Sequence, residues 1–82
     1  MTTLVNLVNN NGIIDTDYFG ETNESDKGHI QYDIRENKVI DYSYSNEDAE
    51  SPIKIDFRKA IRAIELLIQY NKFPEKYSYI WY

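Results

Sequence analysis

Asp15, Asp17, Gly20 and Asp26 of the segment DTDYFGETNESD occupy the first, third, sixth and twelfth places of a calcium-loop template. Such a loop needs oxygen ligands at its first, third and fifth places, a glycine at the sixth for the sharp turn, and a long bidentate Glu at the twelfth. It also needs a helix on either side. Here the fifth place is Phe19, which has no side-chain oxygen, and the twelfth is Asp26, one methylene shorter than Glu. Neither flank reads as a helix. The segment is expected to be a strand running into a solvated acidic loop, with no bound metal.

The remaining residue types with chemical potential are sparse. His29 is the only histidine and falls on the polar face of its strand, so no His pair exists for metal or phosphodiester chemistry. No serine sits in a G-x-S-x-G elbow. The three glycines, Gly12, Gly20 and Gly28, are spaced eight apart and form no phosphate-cradling loop. Asp15 and Asp17 could do acid–base work only if an apolar pocket raised the pKa of one of them, and a wet acidic loop offers no such pocket. The chain has no cysteine, which excludes disulfides and thiolate metal sites and suits a reducing cytosol. These residues predict a protein that is not an enzyme and holds no cofactor.

One cationic group stands out. Arg58, Lys59 and Arg62 fall at the start of a helix, where positive charge opposes the helix dipole at a cost of about a few tenths of a kcal/mol each. The plain expectation is that they pair with Glu47, Asp48 and Glu50 just upstream; the sharper one is a phosphate site.

The elements that hold these residues follow from hydrophobic period. In GHIQYDI, the residues Ile30, Tyr32 and Ile34 alternate with His29, Gln31 and Asp33; in KVIDYSYS, Ile40, Tyr42 and Tyr44 alternate with Val39, Asp41 and Ser43. Matching the apolar faces predicts a hairpin with a three-residue loop, Arg35-Glu36-Asn37. That register pairs Ile34 with Lys38, Tyr32 with Ile40 and Ile30 with Tyr42, and puts Asn37 in the left-handed region. Asp56 is the expected N-cap of the helical stretch FRKAIRAIELLIQYNK, which Pro74 stops soon after Asn71. Phe57, Ala60, Ile61, Ile64, Leu67 and Ile68 share one face, and Arg58, Arg62, Glu65, Gln69 and Lys72 a solvated one. Ala63, Leu66 and Tyr70 form a third patch. The apolar arc is then wider than one sheet contact requires, so Leu66 and Tyr70 are expected to be covered by the N-terminal segment, a second copy or a partner. TTLVNLV fits a strand or two helical turns; Asn10-Asn11-Gly12, a hairpin-type turn before IIDTDYF, favours the strand. KYSYIWY, alternating Tyr77, Tyr79 and Trp81 with Ser78, Ile80 and Tyr82, reads as a returning strand.

These elements predict an α+β fold: an antiparallel β-meander of four to five strands with one amphipathic helix packed on one face. A chain of 82 residues buries only roughly 60–65% of its unfolded surface, so a single domain over residues 1–82 is expected, with a thin stability margin. No basic residue precedes the short apolar patch of MTTLVNLVNNNG, and no run approaches the ~20 apolar residues of a membrane span. A soluble, cytoplasmic protein without membrane contact is expected.

The net charge of −5 is unevenly divided. Residues 1–51 carry eleven acids against three bases, while residues 52–82 carry six bases against three acids, so the two segments stand at −8 and +3. An acidic surface repels nucleic acid and speeds association with basic proteins. Eight Tyr and one Trp add side chains that anchor interfaces, since they bury much area at low entropic cost. The residues expected to face a basic protein partner are Asp15, Asp17, Tyr18, Glu21, Glu24, Asp26, Glu47, Asp48 and Glu50. Leu66 and Tyr70 are expected to form a dimer or partner flank.

In size, acidity and aromatic content, over its whole length, the chain resembles the small acidic immunity proteins of bacterial contact-dependent inhibition and polymorphic toxin systems. The resemblance implies binding to a cognate toxin domain, often a basic nuclease, whose active site is covered or locked from one side. It implies no particular residues; those named come from the charge pattern. Two other readings remain: a self-assembling structural or regulatory domain, and an acidic nucleic-acid mimic that inhibits a DNA-binding enzyme.

Overall fold

The computed structural model describes residues 1–21 and 23–81. Tyr82, expected to close the alternation of the last strand, lies outside the described residues. The elements run β1 (Thr2–Asn10), β2 (Ile13–Gly20), β3 (Gly28–Asp33), β4 (Lys38–Ser43), α1 (Asn46–Glu50), α2 (Ile55–Tyr70) and β5 (Tyr77–Tyr79). The strands form one antiparallel five-stranded sheet in the order β4-β3-β2-β1-β5, and α2 packs on one face of it. The fold is α+β, as the sequence predicts. Among the described residues no helix is long and apolar enough to cross a membrane.

The first hairpin closes through Asn11 (φ 55) and Gly12 (φ 91), with Asn10 opposite Ile13. Two consecutive positive φ angles are the requirement of a type I′ turn, which Asn-Gly meets at low steric cost. β1 then carries a bulge. Its register shifts between Val5 and Val8, and Asn6 sits in the left-handed region at φ 56. Leu4 and Leu7 are three apart, so strict alternation would send them to opposite faces. The bulge turns both into the same core, and the buried Thr16 donates its hydroxyl to the Val5 carbonyl across it at 3.0 Å. The i, i+3 leucine spacing that makes TTLVNLV look helical is reconciled with a strand in this way.

A second irregularity corrects the expected β3–β4 register. Ile30 does face Tyr42, but Tyr32 faces Val39 rather than Ile40, and the last pair is Asp33 with Lys38. The turn is therefore four residues, Ile34 to Asn37. Ile34 does not pair with Lys38 because its N–H goes back to the Gly12 carbonyl at 2.9 Å. Asn37 is left-handed (φ 58), as expected, and its side chain accepts a hydrogen bond from the Tyr32 hydroxyl at 2.7 Å. Ile40 is left exposed, while Val39 packs against the core.

α2 begins at Ile55, so Asp56 is its second residue and not its N-cap. The flanking residue, Lys54, is left-handed (φ 50) and supplies no side-chain cap. At the other end Asn71 (φ 54) donates its N–H to the Ile68 carbonyl, and Lys72 donates to Leu67, a Schellman closure. The core joins Leu4, Leu7, Ile14, Tyr18, Ile30 and Tyr32 of the sheet to Ala60, Ala63, Ile64 and Leu67 of the helix. Ala63, expected on the flank, is fully buried and belongs to the core. Ile61 and Ile68 are only half-buried. Leu66 is half-buried too, and Tyr70 is 66% exposed, lining an apolar groove of about 410 Å³ with Leu67, Lys72, Pro74 and Tyr77. Tyr70 is thus left uncovered.

Candidate functional site

The acidic stretch upstream of α2 contains the short helix α1. Its N-terminus is held twice. Ser45 accepts the Asp48 N–H at 3.1 Å, and both carboxylate oxygens of Asp26 accept from the chain, from Asn46 N–H at 2.8 Å and Glu47 N–H at 2.9 Å. The Asn23 amide also approaches Glu47, at 3.5 Å. Asp26 thus latches the β2–β3 loop to the β4–α2 connection. Two acidic segments some twenty residues apart come together at one end of the sheet.

This latch turns Asp48 inward, where only 1% of it is exposed. Its carboxylate accepts from the Tyr18 hydroxyl at 2.7 Å, from Phe57 N–H at 2.7 Å and from Asp56 N–H at 3.3 Å. It therefore does the work expected of Asp56: it takes the free N–H groups of the first turn of α2, from outside the helix. Burial drives the Tyr18 phenol well above its ordinary value, and the hydrogen bond to the Asp48 carboxylate adds to the effect. Tyr18 remains a donor, and its oxygen accepts the Ser45 N–H at 3.3 Å. Asp48 and Tyr18, both expected to meet a partner, are interior residues and present nothing outward. Asp26 is spent on the latch. What this end presents is Glu21, Glu24, Glu47 and Glu50, all exposed. Glu21 meets the Met1 amino group at 3.1 Å and is otherwise open to water.

Asp15 and Asp17 lie elsewhere, on the sheet face that α2 does not cover. There they bracket His29. Nδ1 lies 2.6 Å from Asp17 and Nε2 lies 2.9 Å from Asp15. Asn6 and Gln31 donate to the same two carboxylates at 3.0 Å and 2.8 Å. Partial burial pushes the Asp17 carboxyl up, but the hydrogen bonds from His29 and Asn6 and the charges of His29 and Lys27 together outweigh it, so its pKa is lowered. The signal for this cluster was the β2–β3 register, which sets Asp17 opposite His29 and which hydrophobic alternation within a single strand does not supply. The calcium template is taken apart by the same geometry: Asp15 and Asp17 belong to a strand, and Asp26 faces the backbone of α1.

The expected pairing of Arg58, Lys59 and Arg62 with Glu47, Asp48 and Glu50 does not occur among the described residues. Arg62 instead approaches Glu65 at 3.7 Å, and the nitrogen of Lys59 lies 5.2 Å from the ring centroid of Trp81. Comparison with family models, with curated proteins and with solved structures finds no match to this chain.

Proposed function

We propose that the protein is a non-catalytic binding protein whose acidic end engages a basic protein partner, in the manner of an immunity protein neutralising a toxin domain. The observation that carries this reading is the Asp26 latch, which brings the loop bearing Glu21 and Glu24 against the helix bearing Glu47 and Glu50. Carboxylates held on packed elements lose little freedom on binding, and a cleft built to hold phosphates accepts them in place of its substrate. The non-catalytic part of the reading is supported by the position of His29, whose two ring nitrogens are both turned to carboxylates of its own sheet.

The test is charge reversal at Glu47 and Glu50 together, leaving the buried Asp48 in place. If a neighbouring gene encodes a large secreted protein, its basic C-terminal domain is the ligand to use. Association with the Glu47→Lys, Glu50→Lys variant should be slower by about tenfold or more at low salt, with a weaker salt dependence, because exposed charges act chiefly on the on-rate. Glu36→Lys, in the turn at the far end of the sheet, is the control and should bind nearly as the parent does. Equal neutralisation by both variants would reduce the acidic end to a solubility feature.

A second reading, self-association through the α2 flank, is favoured by the exposed Tyr70 over its apolar groove. Sedimentation that stays monomeric at high protein concentration removes it.

A further inference from the structure

The chain is acidic, yet three of its cations are gathered where, among the described residues, the sole ion pair is a long one from Arg62 to Glu65. Arg58, Lys59 and Arg62, with Ile55 and Tyr79, line a groove of about 270 Å³ between the first turns of α2 and strand β5. Among the described residues neither Arg58 nor Lys59 forms an ion pair. The contact of Arg62 with Glu65 is long and lies in solvent. Lys59 rests instead on Trp81, and that ring is itself fixed. The indole N–H donates to the Thr2 hydroxyl at 2.9 Å, and Thr2 donates to Asp56 at 2.8 Å. Like charges one helical turn apart repel, and cations in the first turns of a helix oppose its dipole. Such an arrangement is relieved by an anion from outside the chain.

We infer that this groove binds a compact, multiply charged phosphate group, either free polyphosphate or the phosphate chain of a nucleotide. Two guanidinium groups offer planar forks that match phosphate oxygens in pairs, Lys59 adds a point charge, and Tyr79 forms part of the groove's wall. The volume lies below the ~300–1,000 Å³ typical of drug-sized ligand sites, which suits an ion of few atoms. A nucleic-acid strand fits less well. The net charge is −5, and the helix carrying Glu47 and Glu50 immediately precedes α2, so a long polyanion leaving the groove meets repulsion.

Trp81 is the only tryptophan and lies against Lys59, so it reports on the groove directly. Titrating tripolyphosphate into the intact protein at constant ionic strength should change Trp fluorescence saturably, with a midpoint at or below ~1 mM. The double variant Arg58→Gln, Arg62→Gln removes two exposed side chains from the core's periphery and should melt near the parent. Its midpoint should rise at least about tenfold, the scale of losing one charge-assisted contact. Lys38→Gln, on the opposite edge strand, should leave the midpoint unchanged. A parallel calorimetric titration with ATP separates the sources: tighter binding than tripolyphosphate assigns a nucleotide, and equal or weaker binding assigns the phosphate chain alone. No saturable change with either ligand, or an unchanged midpoint in the double variant, overturns the assignment.

Discussion

Asp48 carries more of this structure than any other polar side chain. One carboxylate accepts a phenol and two backbone N–H groups contributed by β2 and α2, so its removal orphans donors in both. Asp48→Ala is expected to cost about 3 kcal/mol or more, read as a lowered urea midpoint, because two buried donors and a partly buried one lose their acceptor together. A variant that unfolds at the parental midpoint would show that water replaces the carboxylate without loss. Sequence placed the cap one short helix too late. Asp56 has the right spacing before the apolar run, and nothing local distinguishes it from an aspartate that reaches the same N–H groups from outside the helix. The exposed Glu47 and Glu50 and the buried Asp48 were equally indistinguishable, since α1 is too short to show a period. His29 was legible as a strand residue on the polar face; its two carboxylate neighbours were not, because they come from another strand.

At the scale of elements, the helix and the hairpins were legible because their periods are strong, and the bulges were not, because a bulge appears in sequence only as a broken alternation. β1 illustrates the point: its leucines imply either a helix or an interrupted strand, and the choice rests on Asn6 accepting φ 56. Asn tolerates that region far better than a β-branched residue. Asn6→Val should therefore cost about 1–3 kcal/mol, while Asn6→Gly, which keeps the backbone free, should cost less despite losing the contact with Asp17. Chemical denaturation of the two variants decides it: if valine is tolerated as well as glycine, the bulge is not what holds Leu4 and Leu7 on one face. The β4 register erred for a related reason. Matching apolar faces assumed regular pairing to the turn, whereas Ile34 is bonded to the first hairpin.

For the whole molecule, two carboxyls give the stability curve opposing slopes at acid pH. Asp17 has its pKa lowered in the fold, so its contribution is present above the ordinary value of 3.8 and is lost as pH falls through the lower folded value. Asp56 has its pKa raised, first by burial and then by the charges of Asp48 and Glu47, against the Thr2 hydrogen bond. Its contribution is complete below 3.8 and is lost as pH rises through the higher folded value, so at neutral pH the ionised group is a net cost. The melting temperature of the parent relative to Asp56→Asn should therefore rise as pH falls from about 7 to about 4. A difference that stays constant over that range would contradict the burial of Asp56 beside Thr2. The division of charge along the chain was visible from composition, but its meaning depended on the sheet order, which sets the acidic loops and the basic groove at the same end.

That sheet order also has a consequence for synthesis. β1 pairs with β2, the next strand in the chain, but its other neighbour is β5, with Tyr79 opposite Thr2 and Ser78 opposite Thr3. While the intervening chain emerges from the ribosome, one side of β1 is an unfilled template for any strand that drifts past. Among the described strands it is β5, some seventy residues further along the chain, that occupies it. Trp81 then reaches back to Thr2 and fastens the seam. That side of β1 is accordingly exposed to mispairing until β5 has emerged and docked.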